Sequence, residues 1–126
     1  MEKIDIAGQE FTPHIVYDET TQIVMISGVS VPEDTKSFYE PLIKWVDNVF
    51  ADASFSGKLY LGINLQYFNT SSSKIIYDLI ARLEKHMAPT RDLKVLWHYA
   101  SDDEDMLESG QNFSEIVSVP FEFVSI

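Results

Sequence analysis

The chain has 126 residues, 45% of them hydrophobic, and contains no cysteine. This length and apolar content predict one domain, residues 1–126, with its own core, and the missing cysteines exclude disulfides, thiolate catalysis and cysteine-ligated metal. Twenty acidic against nine basic residues give a formal charge of −11, which argues against binding to nucleic acid or to an anionic membrane surface.

The amino terminus reads Met-Glu-Lys-Ile-Asp-Ile. It lacks the basic and then apolar layout of a secretion signal. The apolar runs elsewhere in the chain are too short to cross a bilayer. We therefore expect a cytoplasmic protein.

The first third of the chain predicts strands. A short edge strand is expected around Ile4 and Ile6. Residues 14–17 and 23–28 are rich in β-branched and aromatic side chains and predict a hairpin, with residues 18–22 as its turn. Residues 28–34 contain glycine and proline and are expected to end the sheet locally.

A first helix is predicted from an apolar stripe with helical spacing. The stripe consists of Phe38, Leu42, Trp45, Val46 and Val49. Ser37 and Glu40 have the spacing of a capping box, which would start the helix at Ser37. Pro41 conflicts with that start, since proline past the first turn removes a backbone hydrogen bond. Either the helix is kinked or it starts elsewhere.

The middle of the chain changes from strand periodicity to helix periodicity. Apolar residues with a period of two predict a strand with one buried face: Leu59, Leu61, Ile63, Leu65 and Tyr67. Helical spacing then predicts an apolar stripe made of Ile75, Ile76, Leu79, Ile80, Leu83 and Met87. The water-facing side of that helix would carry Lys74, Asp78, Arg82 and Lys85.

The last third predicts a strand, a helix and a strand. Residues 93–99 form the first strand, which we expect to be central. The acidic run 102–105 suits the first turn of a short helix, which is expected to end near Gly110. Val119, Phe121 and Phe123 alternate in a final strand, and Pro120 places that strand at an edge. The order β-β-β-α-β-α-β-α-β predicts an α/β fold with a mixed sheet and helices packed against it.

The change of periodicity falls on the run Asn69-Thr70-Ser71-Ser72-Ser73. These side chains cap the free N–H groups at a helix start, and their hydroxyls lie at the positive end of the helix dipole. Simple capping is one interpretation, although one good cap residue would be enough for it. A phosphate carried by one hydroxyl would be stabilised at the same place, and a nucleophilic serine is the third possibility.

Signatures of catalysis or metal binding are weak. Ser71 and Lys74 match the Ser-x-x-Lys pattern of penicillin-recognising enzymes, but the companion Lys-Thr-Gly is missing, so a small serine hydrolase is a distant alternative. The acidic run lacks calcium-loop spacing, and His14, His86 and His98 are too scattered for a zinc site. We therefore expect no catalytic residues, no metal and no cofactor.

The element order, with a hydroxyl cluster heading the second helix, resembles the STAS fold of anti-sigma factor antagonists. A series of motifs more closely resembles the SiaC family of bacterial regulatory phosphoproteins. The motifs are Thr12-Pro13, Gly28-x-Ser30-x-Pro32-Glu33, Tyr67-Phe68-Asn69-Thr70-Ser71-Ser72-x-Lys74, Trp97-x-Tyr99 and Asp103-Glu104-x-Met106. The sequence departs from the family pattern at Val31, where an aromatic residue is common, and at Asp34, where asparagine is frequent.

The resemblance implies a non-catalytic protein switched by phosphorylation. In the family, the threonine corresponding to Thr70 is phosphorylated by a histidine-kinase-like protein kinase and dephosphorylated by a PP2C-type phosphatase. The unphosphorylated form binds and activates a diguanylate cyclase, which raises cyclic di-GMP and promotes aggregation or biofilm. Ser71 is the alternative acceptor, and Asn69, Ser71, Ser72 and Lys74 are expected to border the partner interface. The alternative function is a STAS-type anti-sigma factor antagonist in a partner-switching cascade.

Overall fold

The computed structural model describes residues 2–52 and 55–126. Within them, six strands and three helices alternate as the sequence predicts. They are β1 (Asp5–Ile6), β2 (His14–Asp18), β3 (Ile23–Ser30), α1 (Thr35–Ala51), β4 (Gly57–Phe68), α2 (Thr70–Lys85), β5 (Arg91–Tyr99), α3 (Glu104–Glu115) and β6 (Phe121–Ser125). None of these helices is long and apolar enough to cross a membrane.

The strands form one sheet in the order β1-β2-β3-β4-β5-β6. The pairs β1–β2 and β2–β3 are antiparallel, whereas β3–β4, β4–β5 and β5–β6 are parallel. Each parallel pair is joined by a helical crossover. The predicted mixed sheet is therefore confirmed, with β6 at an edge and β5 in the interior.

One face of the sheet carries the core. Alternate side chains of β3, β4 and β5 are buried on it, among them Ile26, Ile63 and Trp97. Buried residues of all three helices belong to the same core cluster, as expected when successive right-handed crossovers place their helices on one side of a sheet.

A bulge near the end of β4 corrects one predicted face. Gly28 pairs with Leu65, but Val29 pairs with Tyr67, so Gln66 is an extra residue in β4. A bulge of this kind reverses the alternation of side chains after it. Tyr67 is consequently 58% exposed, contrary to the prediction that it shares the buried face, and Phe68 packs edge-on against Trp97 instead.

The predicted start of α1 is also wrong. The helix begins at Thr35, and its N-cap is Asp34, whose carboxylate accepts hydrogen bonds from the backbone N–H and the hydroxyl of Ser37. Pro41 still lies inside the helix and removes the hydrogen bond to the carbonyl of Ser37. Because Ser37 is exposed, solvent can replace that bond.

Two predicted limits of a strand and a helix are corrected, and so is the predicted exposure of one side chain. Strand β3 continues through Gly28, which adopts a φ of 109°, to Ser30. Helix α2 ends at Lys85, so Met87 lies beyond its apolar stripe and is 44% exposed. Arg82 is not fully in water, because its half-buried guanidinium pairs with Asp47 and Asp78.

Gly110 lies inside α3 and does not end it. A Cβ atom at this position would lie 2.5 Å from Cδ1 of Trp97. The indole is fully buried, and its Nε1 donates a hydrogen bond to the carbonyl oxygen of Met106 at 2.9 Å. The absence of a side chain is therefore what lets α3 approach the sheet.

We predict that Gly110→Ala lowers the free energy of unfolding. Overpacking a rigid core costs about 1–3 kcal/mol, and the roughly 1 kcal/mol gained from the helix propensity of alanine offsets only part of it. Denaturant unfolding followed by circular dichroism measures the change. Gln111→Ala, at the neighbouring exposed position, is the control, and its stability is expected to be unchanged or slightly higher. A Gly110→Ala protein as stable as wild type would contradict the packing role of Gly110.

Candidate functional site at the start of helix α2

The candidate site lies where β3 and β4 end and where α1 and α2 begin. Because β3 and β4 are parallel, their carboxyl ends meet at one edge of the sheet. The backbone N–H of Asn69 donates to the carbonyl oxygen of Ser30 at 3.2 Å, which joins the two strand ends. The first residues of both helices therefore lie next to each other at this edge.

Asn69 is the N-cap of α2. Its Oδ1 accepts a hydrogen bond from the backbone N–H of Ser72 at 2.9 Å and from the hydroxyl of Ser71 at 3.1 Å. The side chain thus satisfies one of the N–H groups that a helix start leaves open. Asn69 is half-buried, and its amide oxygen is occupied by this capping role.

Ser72 lies inside the protein. Its side chain is completely buried, and its hydroxyl donates to the carbonyl oxygen of Ser30 at 3.0 Å. The Ser72 and Ser30 hydroxyls are 2.8 Å apart, and the Ser30 hydroxyl is 2.6 Å from the Tyr39 hydroxyl. Since a hydroxyl has one proton, Tyr39 donates to Ser30 and Ser30 donates to Ser72.

This chain of hydroxyls connects β3, α1 and α2. Burial raises the pKa of Tyr39, and the hydrogen bond with Ser30 only partly opposes that rise. The phenol therefore keeps its proton and its donor role at neutral pH. Ser72, which we expected at a partner interface, has no surface to offer a partner here; it holds α2 against β3.

Ser71 is exposed, but its hydroxyl is engaged twice. Besides donating to Asn69, it lies 2.6 Å from Oγ1 of Thr35, the first residue of α1. Ser71 has no second proton, so Thr35 is the donor in that contact. The bond links the first turns of α1 and α2.

Thr70 differs from the other hydroxyl residues. It is exposed and occupies the first helical position. Among the described residues, none forms a hydrogen bond with its hydroxyl or with the backbone N–H groups of Thr70 and Ser71. Lys74, also exposed, follows one turn later on the same side of the helix. Thr70 therefore presents a free hydroxyl beside open N–H donors and the positive end of a helix dipole.

The hydrolase alternative finds no support in this geometry. The described partners of the Ser71 hydroxyl are Thr35 and Asn69, and neither side chain acts as a general base. In the part of the chain that the structure describes, no hydrogen bond joins Ser71 to Lys74. The prediction that the chain has no catalytic serine is unaffected.

The histidines and acidic residues are dispersed. His14 contacts Asp5 at 3.0 Å, and His86 stacks on Phe50, where burial and the nearby charges of Lys85 and Arg91 lower its pKa. Asp103 caps α3 by accepting from the backbone N–H of Met106. Among residues 2–52 and 55–126, no three acidic or histidine side chains are grouped as metal ligands would be.

Sequence reasoning missed the roles of Ser30, Thr35 and Tyr39. Tyr39 could have been found, because positions 39, 42 and 46 follow one helical stripe that also contains the buried Leu42 and Val46. The pairing of Thr35 with Ser71 had no signal in the sequence, since it depends on how two helix starts meet in space.

Comparisons with known proteins fit the motifs around this site. The model of the SiaC family, described as regulatory phosphoproteins, matches residues 6–126. The chain belongs to the SiaC family. An uncharacterized protein of Pseudomonas aeruginosa (strain UCBPP-PA14) is 32% identical over 121 residues, which cover 96% of this chain and 94% of that protein.

Solved structures of the family have the same fold. Apo-SiaC from Pseudomonas aeruginosa superposes with a TM-score of 0.85 at 31% identity, covering 98% of this chain and 99% of that one. A crystal structure of the diguanylate cyclase SiaD in complex with its activator SiaC, from the same organism, gives a TM-score of 0.88 at 31% identity, with coverage of 98% and 99%. The predicted membership of a family of regulatory phosphoproteins is confirmed. The similarity of the fold to the STAS fold stays a prediction.

We predict that Ser72→Ala destabilises the protein by about 1–3 kcal/mol, because the buried Ser30 hydroxyl loses its acceptor. Denaturant unfolding measures the loss. Ser73→Ala is the control, since no described residue bonds the half-buried Ser73 hydroxyl, and it is expected to change stability by less than about 0.5 kcal/mol. Equal effects of the two substitutions would show that the buried hydroxyl chain contributes nothing specific.

Proposed function

We propose that this protein is a non-catalytic activator of a diguanylate cyclase, switched off by phosphorylation of Thr70. The unphosphorylated form binds the cyclase and raises cyclic di-GMP, which favours aggregation or biofilm. A histidine-kinase-like protein kinase transfers the phosphoryl group, and a PP2C-type phosphatase removes it. The proposal rests on membership of the SiaC family and on the neighbouring structure in which SiaC is the activator of SiaD.

The observation that favours Thr70 as the phosphate acceptor is its free, exposed hydroxyl at the first position of α2. A kinase must align the attacking oxygen with the phosphorus of ATP, and an unengaged side chain can rotate to do so. Phosphorylating Ser71 would instead require breaking its contacts with Thr35 and Asn69. These contacts support Thr70 over Ser71 as the acceptor.

The surroundings of Thr70 suit a phosphate once it has formed. The open N–H groups of Thr70 and Ser71 and the helix dipole stabilise an anion at this position, and Lys74 supplies a cation one turn away. The phosphate adds a charge of about −1.5 to −2. On a chain that already carries −11, the consequence must be local, at the surface around Thr70.

Several further properties belong to this proposal. The protein acts as one domain in the cytoplasm, with no metal or cofactor of its own. Partner contacts near the switch come from Asn69, Ser71 and Lys74, which have exposed or half-exposed surface. Ser72 contributes only by holding α2 in place.

We predict that Thr70→Glu weakens cyclase binding by about tenfold or more, because like charges brought together at an interface cost several kcal/mol. Thr70→Ala, which carries no phosphate, is expected to keep binding and to raise cyclic di-GMP above wild type in cells where the kinase is active. The measurements are intracellular cyclic di-GMP and co-purification of the cyclase from native cells carrying each allele.

Thr20→Glu is the matched control, since Thr20 is exposed in the hairpin turn at the opposite end of the sheet. It introduces the same charge and is expected to leave cyclic di-GMP unchanged. A Thr70→Glu protein that supports wild-type cyclic di-GMP would count against the switch. Co-purification with an anti-sigma factor, and not with a cyclase, would favour the anti-sigma factor antagonist function.

A further inference from the structure

A cavity of about 400 Å³ opens at the carboxyl ends of the parallel strands. It is bounded by Ser27 and Gly28 near the end of β3, by Asn64 and Gln66 near the end of β4, and by Asp103 in the loop after β5. We call it the strand-end cavity. Ligands of α/β proteins commonly bind beside the carboxyl ends of parallel strands, and small-molecule sites have volumes of roughly 300–1,000 Å³.

Two irregularities of the backbone shape this cavity. Gly28 adopts a φ of 109°, and Gln66 is the extra residue of the β4 bulge. Bulges re-aim side chains and are frequent beside active sites. One row further down the sheet, Met25 covers Gly62, since a Cβ atom on Gly62 would lie 2.7 Å from the sulfur of Met25. The smaller Ser27 leaves the next row open.

Polar side chains that line the strand-end cavity have no partners in the protein. Ser27 and Asn64 are opposite each other in register, so their side chains lie on the same face of the sheet. Across the described residues, nothing forms a hydrogen bond with the hydroxyl of Ser27 or with the side-chain amides of Asn64 and Gln66. A few converging polar groups in a concave surface are the usual means by which a pocket orients a ligand.

A further unpaired group lies on the same face of the sheet. Gly62 and Leu96 are register partners, so Asn64 and His98 follow on that face two positions later. Nδ1 of His98 is buried and has no hydrogen-bond partner among the residues that the structure describes. Unsatisfied buried polar groups are rare in native proteins. This end of the sheet therefore carries more hydrogen-bonding capacity than the fold uses.

The charge of the cavity determines the class of ligand. Among the described residues that line it, Asp103 is the only one with a charged side chain. Its Oδ1 accepts from the backbone N–H of Met106, whereas no described residue bonds its Oδ2. The chain as a whole carries −11. Such a site attracts a cation and repels anions, including nucleotides and cyclic di-GMP.

An organic cation fits the cavity better than a metal ion does. Calcium takes about six to eight oxygen ligands, but the described residues contain no group of three potential metal ligands. An ammonium group has three donors, which match the carboxylate of Asp103 and the amide oxygens of Asn64 and Gln66. Ile126 also lines the cavity and is 61% exposed, so a short carbon chain can pack against it.

We propose that the strand-end cavity binds a short aliphatic amine. The ammonium group of this ligand pairs with the free oxygen of Asp103 and donates to the amide oxygen of Asn64, and its carbon chain packs against Ile126. Analogues of the same length that are neutral or negatively charged do not bind. The inference is independent of the proposed function, because none of residues 69–74 lines the cavity.

The test titrates the full-length protein with putrescine, a primary diamine, and follows the backbone amide resonances by NMR. Physiological salt is present to screen unspecific attraction between charges. Saturable shifts confined to residues 27–28, 64–66 and 99–103 are expected. Butanediol, which has the same carbon chain without charge, and succinate, which has two negative charges, are the matched ligands and are expected to cause no such shifts.

Substitutions locate the site within the protein. Asp103→Asn removes the charge but keeps the helix cap, since asparagine caps as well as aspartate, and it is expected to weaken binding about tenfold or more. Asp34→Asn makes the same change at the N-cap of α1 and is the control, with unchanged affinity. Asn64→Leu keeps the size of the side chain without its polar atoms and is expected to weaken binding about threefold or more.

Circular dichroism shows whether each variant is folded, and Asn64→Leu decides the question if Asp103→Asn is not. Equal binding of butanediol or succinate would overturn the inference. So would the absence of shifts with putrescine, or shifts that spread over the acidic surface without saturation. Folded variants at Asp103 and Asn64 that bind putrescine as tightly as the wild type would show that the cavity is not the site.

Discussion

The hydrogen bonds between Ser72 and Ser30 fix the geometry on which the site depends. The Ser72 hydroxyl donates to the carbonyl oxygen of Ser30 and accepts from its hydroxyl, inside the protein. The first turn of α2 is thereby attached to the last residue of β3. With Tyr39 donating to Ser30 from α1, one buried chain of hydroxyls determines how two helices begin at the same edge of the sheet. A buried polar network with every member bonded specifies one arrangement, because any other leaves a group unpaired.

That attachment separates the hydroxyls of residues 70–72 into two that hold the helix starts together and one that is free. Ser72 points inward, and Ser71 bonds to Thr35, so both hold the helix starts together. Thr70, one position earlier, has no such contact among the described residues. A modification there changes the surface without unfolding the site, since the bonds that position α2 lie behind it. This division accounts for three of the four hydroxyls, since no described residue bonds the hydroxyl of Ser73.

The sequence predicted the order of all elements, because periods of two and of 3.6 residues are set by backbone geometry. It failed where tertiary contacts override the local pattern. Tyr67 continued the alternation of Leu61, Ile63 and Leu65, but a bulge at Gln66 exposed it. Gly110 reads as a helix end, yet the indole of Trp97 requires a position without a side chain inside α3. At the candidate site, the motif singled out Thr70, whose role as the phosphate acceptor stays a prediction. The contacts of Thr35 and Tyr39 required the structure, since they join residues far apart in the chain.

The same bulge shapes the surface near Thr70. The bulge turns Phe68 inward and Tyr67 outward. Both side chains line a cavity next to the first turn of α3. Charges in water are largely screened beyond about 8–10 Å at physiological salt. The charge of a phosphate on Thr70 would therefore act on a partner only where that partner passes close to the start of α2. A partner that makes its contacts mainly elsewhere on the protein would escape control by phosphorylation.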